Sequence, residues 1–323
     1  MKIHIPNSAF LHNINNFFFG LDLSEQTSLE ITANPKWIFI HPVVVSMIAA
    51  LGKMVSPGNI KCQDITARSG YYLNKMGLFK FIGINPKIKQ VQLHEVSGIA
   101  IPITQIKNST DLKKFLEELV PLLHLQRNPE QAESIQHIFS ELIRNVLEHA
   151  QSSHGAIVCA QYFKKSNRVS IGVVDTGIGL KKSLRRSYKV LDDKHAIELA
   201  LTPGVTGTTP RPGGTAQNAG LGLFLIKSIA FVNSNYLAII SGNRLYKLLH
   251  RKKDRNPLDL KNNPFDENHT LFEVPNWNGV VIGVDISLND SFEFSILLRT
   301  IHRFYSRHVR NQTKIRYKKP KFI

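Results

Sequence analysis

Two short polar sites set in strongly patterned apolar sequence constrain this chain more than anything else in it. The first is Ser140-Glu141-Leu142-Ile143-Arg144-Asn145-Val146-Leu147-Glu148-His149, and the second is Val173-Val174-Asp175-Thr176-Gly177-Ile178-Gly179. Around the first, Ile135, Ile138, Phe139, Leu142, Val146, Leu147 and Ala150 recur at three- and four-residue steps, the spacing of one helical face. Asn128 is a good N-cap and Pro129 suits a first turn, so a helix is expected to begin there. Glu141 and Asn145 then lie one turn apart, with His149 a further turn along. A carboxylate above a carboxamide offers hard oxygens, which suit a hydrated divalent ion or an activated water. Asp175 closes a run of β-formers, Val169 to Val174, and Gly177 and Gly179 follow at once. An acid at a strand end beside bare backbone suits a donor-bearing heterocycle, such as an adenine amino group, that must come close.

A third site lies downstream. Gly220 and Gly222 precede the apolar helix expected over Leu223 to Phe231. Exposed amides at a helix start, with no side chain in the way, attract phosphate through hydrogen bonds and the helix dipole. This is not a Walker loop, since no Gly-Lys-Ser/Thr follows, and the third glycine of a dinucleotide fingerprint is missing. Before it, Pro203 to Ala219 is rich in glycine, threonine and proline and fits no regular element. Such a loop is a lid or binding loop, with threonine hydroxyls and Arg211 able to meet phosphate oxygens, or else a plain surface loop.

In this order the three sites resemble the GHKL ATPase superfamily, the nucleotide-binding domain shared by gyrase-type topoisomerases, sensor histidine kinases, mismatch-repair ATPases and anti-sigma-factor serine kinases. Glu141-x-x-x-Asn145 resembles its N-box, Asp175-x-Gly177-x-Gly179 the box whose aspartate reads adenine, and Ala219-Gly220-Leu221-Gly222-Leu223 the glycine pair against the phosphates. The likeness runs from about Gln131 to Leu288, and Ser140-Glu141-x-x-x-Asn145-x-x-x-His149 looks most like the anti-sigma serine-kinase version. It implies ATP and Mg2+ as cofactors, Glu141 as catalytic base and Asn145 as the magnesium ligand. It further implies that Asn145, Asp175, Gly177, Gly179, Thr206, Gly220, Leu221, Gly222 and Leu223 hold the nucleotide under a lid at Pro203 to Ala219. His149 lies inside the nucleotide box and is read as support for Glu141 or as pocket wall, not as a phosphoacceptor.

The remaining elements place these sites. Residues 1–105 alternate strand and helix signals: Lys36 to Ile40 a strand, Pro42 to Lys53 a helix, Asn59 to Ile65 a strand, Ser69 to Met76 a helix. A parallel pair joined by a crossover helix is expected. Trp37-Ile38-Phe39-Ile40-His41-Pro42 and Tyr72 to Phe79 resemble a STAS-type regulatory domain, but His41-Pro42-Val43-Val44 lacks the phosphorylatable hydroxyl of that family. Residues 106–128 are a helical connector, with Thr110 as cap and Pro121 ending or kinking it; it serves as a signalling stem or as packing between domains. Residues 129–290 form the nucleotide domain. In it Ala156 to Phe163 and Arg168 to Asp175 make a hairpin, Lys181 to Leu201 two helices, and Tyr236 to Ser241 and Gly279 to Leu288 later strands around an irregular polar insertion at 251–278. Lys181, Lys182, Arg185 and Arg186 are phosphate candidates or a solvated helix face. Residues 291–323 are a last helix, 289–308 with Asn289 as cap, and a basic tail. The fold class is α/β (α+β): a C-terminal sandwich of a mixed, mostly antiparallel sheet with helices on one face, plus a smaller N-terminal α/β domain.

Composition limits what else is possible. A chain of 323 residues with 42% hydrophobic content is long enough for two modest cores. No apolar run approaches the roughly 20 residues needed to span a bilayer, and the start lacks the form of a signal peptide. Cys62 and Cys159 fall in different expected strands, which fits a reducing cytoplasm and no disulfide. The net charge of +17 calls for a polyanionic partner or serves solubility, and no acidic residue follows Glu293. Residues 299–321 therefore resemble a nucleic-acid or acidic-partner arm. Two functions are compatible with all this: an enzyme that splits ATP or moves its phosphate to a protein, with a protein partner and homodimer to be considered, or an ATP-gated binding module with negligible turnover.

Overall fold

The computed structural model describes residues 1–89, 100–122, 129–207, 209–211, 213, 221–250, 260–261, 263–288 and 294–316. Alternation starts the chain: in Lys2–Ile5 (β1), Ile3 and Ile5 are buried while Lys2 and His4 are exposed. β1 pairs antiparallel with Leu21–Asp22 (β3) and parallel with Leu29–Ala33 (β4), which pairs parallel with Ile60–Cys62 (β6). Ser8–Ala9 (β2) and Phe39–Ile40 (β5) form a separate parallel pair.

The expected parallel pair between 36–40 and 59–65 is not made. The crossover is real, but it links β4 to β6. Asn34 Oδ1 accepts from the amides of Lys36 and Trp37, a turn that uses up the front of the expected strand. Period-two patterning marks strands without naming their partners.

The crossover helix is Pro42–Lys53 (α2), which follows the short Asn15–Phe18 (α1) and precedes the short Tyr71–Lys75 (α3) and Leu78–Ile82 (α4); it is capped by His41, whose Nδ1 accepts from the Val43 amide at 3.0 Å. Every residue from Pro42 to Gly52 is buried. A helix apolar all round belongs between layers, and α2 lies between the small sheet and the back of a larger one. Gly172 permits this: a Cβ there would lie 2.3 Å from Val43 Cα. His41 Nε2 also reaches Asp285 Oδ1 at 3.3 Å, and the Ser170 hydroxyl donates to the same oxygen. Burial pushes Asp285 upward, but the hydrogen bonds from His41 and Ser170 and the Arg168 charge together outweigh it and hold the carboxyl below its usual range.

The larger sheet contains Ala100–Ile106 (β7), Ala156–Phe163 (β8), Arg168–Val174 (β9), Leu237–Leu248 (β10) and His269–Ser287 (β11) in the order β10-β11-β9-β8-β7. Each pairing is antiparallel, in line with the mostly antiparallel sheet expected. β7 straddles the boundary expected near residue 105 and forms the edge beside β8. β10 and β11 are longer than their sequence signals, and 269–278, expected to be irregular, is strand. A bulge between Ser241 and Arg244, with Gly242 at φ 60°, resets the register so that the hairpin continues past the break. Residues 251–259 lie outside the described residues.

The other face carries Ser109–Leu122 (α5), Pro129–Asn145 (α6), Asp193–Leu201 (α8) after the short Gly179–Leu184 (α7), Gly222–Val232 (α9) and Phe294–Arg316 (α10). Asn108, not Thr110, caps α5: its Oδ1 accepts from the Asp111 amide at 3.0 Å while Asp111 accepts from Lys107. Leu112, Phe115 and Leu119 bury α5 in the core, so it packs and does not stand off as a stem. The expected cap Asn128 lies outside the described residues, as do Asn289 and residues 317–323. α10 extends through Arg316, so most of the expected basic tail is helical and anchored by Leu297 and Ile301. No described helix is long and apolar enough to cross a membrane.

Candidate functional site

α6 delivers Glu141 and Asn145 as its pattern requires, then widens into a π-turn at Val146–Ala150 that Gln151 ends at φ 52°. Such turns occur frequently at functional sites. Beside it, Asp175 follows directly on the end of β9. Between them and the start of α9 opens a cavity of about 930 Å³, mouth included, lined by Glu141, Asn145, His149, Asp175, Gly179, Thr206, Leu221, Gly222 and Leu223 among others. Eight of the ten sequence candidates thus meet at one cavity. Gly177 stands just behind the wall, its amide donating to Asp175 Oδ1 at 2.8 Å, and Gly220 lies outside the described residues. Lys181, Lys182, Arg185 and Arg186 do not line the cavity.

Asp175 is only 1% exposed. Its Oδ1 takes the Gly177 amide, while Oδ2 is buried with no hydrogen-bond partner. An orphaned carboxylate oxygen is costly, so a site that keeps one is shaped for a donor from outside. Burial raises the Asp175 pKa to about 7, opposed by the amides of Gly177 and Val280. The strand end is held from the far side: Trp277 Nε1 donates to the Asp175 carbonyl at 2.9 Å. Gly279, at φ 110°, leaves the room, since a Cβ there would lie 2.3 Å from that carbonyl oxygen.

The end of the cavity away from Asp175 is built by contact between helices. A Cβ on Gly222 would lie 3.3 Å from both Asn145 Nδ2 and Glu141 Cβ, so the first turn of α9 sits directly against the Glu141–Asn145 face. Asn145 makes no hydrogen bond among the described residues, leaving its carboxamide for a ligand. Arg144 lies 3.5 Å from Glu141 Oε1 and binds Glu148 at 2.9 Å. These residues fit Mg-ATP: a lone acceptor for adenine, bare helix-start backbone for phosphate, and a carboxamide oxygen for an ion that draws most of its ligands from phosphates and water. No cluster of three or more His, Cys, Asp or Glu suited to a metal occurs among the described residues.

Three residues of the site were missed from sequence. Gly279 and Trp277 lay in or beside the stretch expected to be irregular. Ser241 is the third; its hydroxyl accepts from the Leu180 amide at 2.9 Å and donates to the Gly279 carbonyl at 3.1 Å, tying α7 to the Asp175 end of the cavity. A glycine within β-forming sequence signals close backbone approach, and that signal was there to find Gly279.

Residues 130–238 match the family model described as histidine kinase-, DNA gyrase B-, and HSP90-like ATPase. The match supports an ATP-binding module of the GHKL type in this unit. No curated protein and no solved structure matches the chain.

The raised pKa of Asp175 gives a pH prediction. Its unfolded value is 3.8 and its folded value about 7, so the folded protein holds the extra proton between them. The stability this contributes is present below the lower value and is lost as pH rises through the upper one. A ligand N–H on Oδ2 favours the carboxylate, so nucleotide binding should release a proton and tighten as pH rises to about 7, then level off. Asp175→Asn should flatten that rise and lose roughly 1.5–3 kcal/mol of adenine-specific affinity, with ATP falling towards GTP. Titration of both proteins side by side cancels the phosphates' own ionisation. Identical pH profiles and an unchanged ATP-to-GTP ratio would remove Asp175 as adenine reader.

Proposed function

We propose that the chain binds Mg-ATP in this cavity and consumes it, by hydrolysis or by transfer to a protein. The orphaned Oδ2 of Asp175 carries the reading, because adenine brings the one donor that this buried oxygen lacks. Gly179 and Leu180 receive the base edge, Gly222 and Leu223 face the phosphates, and Asn145 would supply an oxygen to the ion. When bound, the magnesium ion neutralises phosphate charge and orients the terminal phosphoryl group. Glu141, one helical turn from Asn145, is the base that would take a proton from water or a protein hydroxyl.

A second reading has its own observation. Arg144 lies 3.5 Å from Glu141 Oε1 and competes for that oxygen with the water or hydroxyl it would have to meet as a base; an ATP-gated binding module with little turnover follows if that contact persists. The likeness of the α6 motif to anti-sigma serine kinases makes a protein the acceptor or partner to test first, and homodimerisation is to be measured with it. Stacked on the back of β8 and β9, α2 gives the N-terminal layer a direct mechanical link to Asp175, in keeping with a regulatory, STAS-like role in the cytoplasm.

The loop at 203–213 is assigned as the hinge side of a lid. Among its described residues Thr206 reaches the cavity, and Gly213 donates to the Gly204 carbonyl at 3.1 Å. Limited proteolysis tests this: cleavage between 203 and 219 should be rapid in the free protein and strongly slowed by a non-hydrolysable ATP analogue with Mg2+. Equal rates would leave the segment an ordinary loop.

A further inference from the structure

α10 has two faces with different work. On the inner face, Phe304 stacks on Phe224 in the first turn of α9, with ring centroids 5.9 Å apart. One turn on, Val309 presses against both ends of the lid hinge. A Cβ on Gly204 would lie 2.8 Å from Val309 Cγ2, and one on Gly213 would lie 2.7 Å from Val309 Cγ1. Both glycines have left-handed backbone, φ 81° and 80°, so the hinge is fitted closely to this side chain. Thr206, between them, lines the nucleotide cavity. The seat of α10 and the position of the lid are therefore one mechanical unit.

The outer face is cationic. Arg303, Arg307, Arg310 and Lys314 are exposed at three- and four-residue steps along a helix that contains no acidic residue. They rim an open groove against the start of α6, where Glu130 and Glu133 stand on the opposite wall and Ser306 and Asn311 add neutral donors. Guanidinium groups once per turn suit successive phosphates, which they meet as planar forks. Without an anion, like charges at that spacing repel and weaken the helix.

We propose that the outer face of α10 binds the phosphodiester backbone of a nucleic acid, and that this binding seats the helix and tightens ATP binding through Val309 and the lid hinge. The coupling rests on the ATP site proposed above. Neutralising the stripe removes the repulsion within α10, which favours the seated helix and with it the lid position that brings Thr206 to the cavity. By linkage, ATP must raise nucleic-acid affinity by the same factor.

The test measures both ligands on the full chain. A labelled single-stranded oligonucleotide should bind with a log–log salt slope of about −3, four neutralised charges at about −0.7 each. Arg303→Gln/Arg307→Gln/Arg310→Gln should flatten the slope to about −0.7 and, because it removes the same repulsion, tighten ATP binding in the absence of oligonucleotide. In the parent protein, saturating oligonucleotide should tighten a non-hydrolysable ATP analogue about fivefold or more, within the usual range of coupling. Val309→Ala should reduce that factor and keep oligonucleotide affinity. Absence of oligonucleotide binding at low salt, beside normal ATP binding, overturns the surface. Oligonucleotide binding with unchanged ATP affinity overturns the coupling. Poly-glutamate that binds and couples as well as the oligonucleotide overturns nucleic acid in favour of an acidic protein. A protein that holds oligonucleotide but no ATP overturns the nucleotide reading and the coupling with it.

Discussion

Glu141→Gln is expected to retain ATP binding and to lower ATP consumption by roughly 10²–10⁴-fold, the range for loss of a positioned general base. The amide is nearly isosteric, and Asn145, one turn along, keeps its own contact with the start of α9. Nucleotide should then stay bound, and a closed or self-associated form should accumulate. Asn145→Ala makes the contrast: it removes the oxygen assigned to the ion, so magnesium-dependent affinity should vanish before turnover can be assayed. Calorimetric titration with and without Mg2+, followed by ATP consumption with and without acceptor proteins, separates the two variants. A turnover unchanged in Glu141→Gln would dismiss Glu141 as base and favour the ATP-gated binder, consistent with the Arg144 contact.

The second large effect is on stability. Lys227, on α9 beyond Gly222, is fully buried and donates to Glu267 Oε1 at 2.9 Å, with its ammonium 5.2 Å from the Phe224 ring centre. Burial pulls the Lys227 pKa down, and the Glu267 charge opposes it. Lys227→Met should cost about 3–5 kcal/mol, because it leaves a buried carboxylate without its cation. Against a total stability of roughly 5–15 kcal/mol that is a severe loss. Lys227→Met/Glu267→Met should recover most of it, since the charge needing compensation has gone. Denaturant unfolding of the parent, both single variants and the double decides the matter. A single-variant loss below about 1 kcal/mol would mean the pair is not ionised in the folded protein.

Local chemistry made much of the nucleotide unit legible. The Glu141–Asn145 spacing, the strand that leads into Asp175 and Gly222 after Leu221 each specify a backbone, and the fold brings them to one cavity. The β8–β9 hairpin was readable for the same reason, because a short polar turn between two β-forming runs leaves little choice. Partner choice was not readable. β5 and β6 carry strand signals, but their neighbours β2 and β4 are set by how α2 fits between two sheets. The reach of β10 and β11 was hidden by Asn276, Trp277 and Asn278, which read as loop until Trp277 is seen bonded to the Asp175 carbonyl.

By itself, the sequence determined which side chains stand on one helix face, where strands end and where backbone is bare, because those follow from periods of two and 3.6 residues and from the absence of a Cβ. Only the tertiary structure decided that Asp175 keeps an unpartnered oxygen, that Gly222 brings α9 against Asn145, and that Val309 rests on the lid hinge. Each of those is a contact across long sequence separation, fixed by close packing of whole elements and by which polar atoms that packing leaves unpaired.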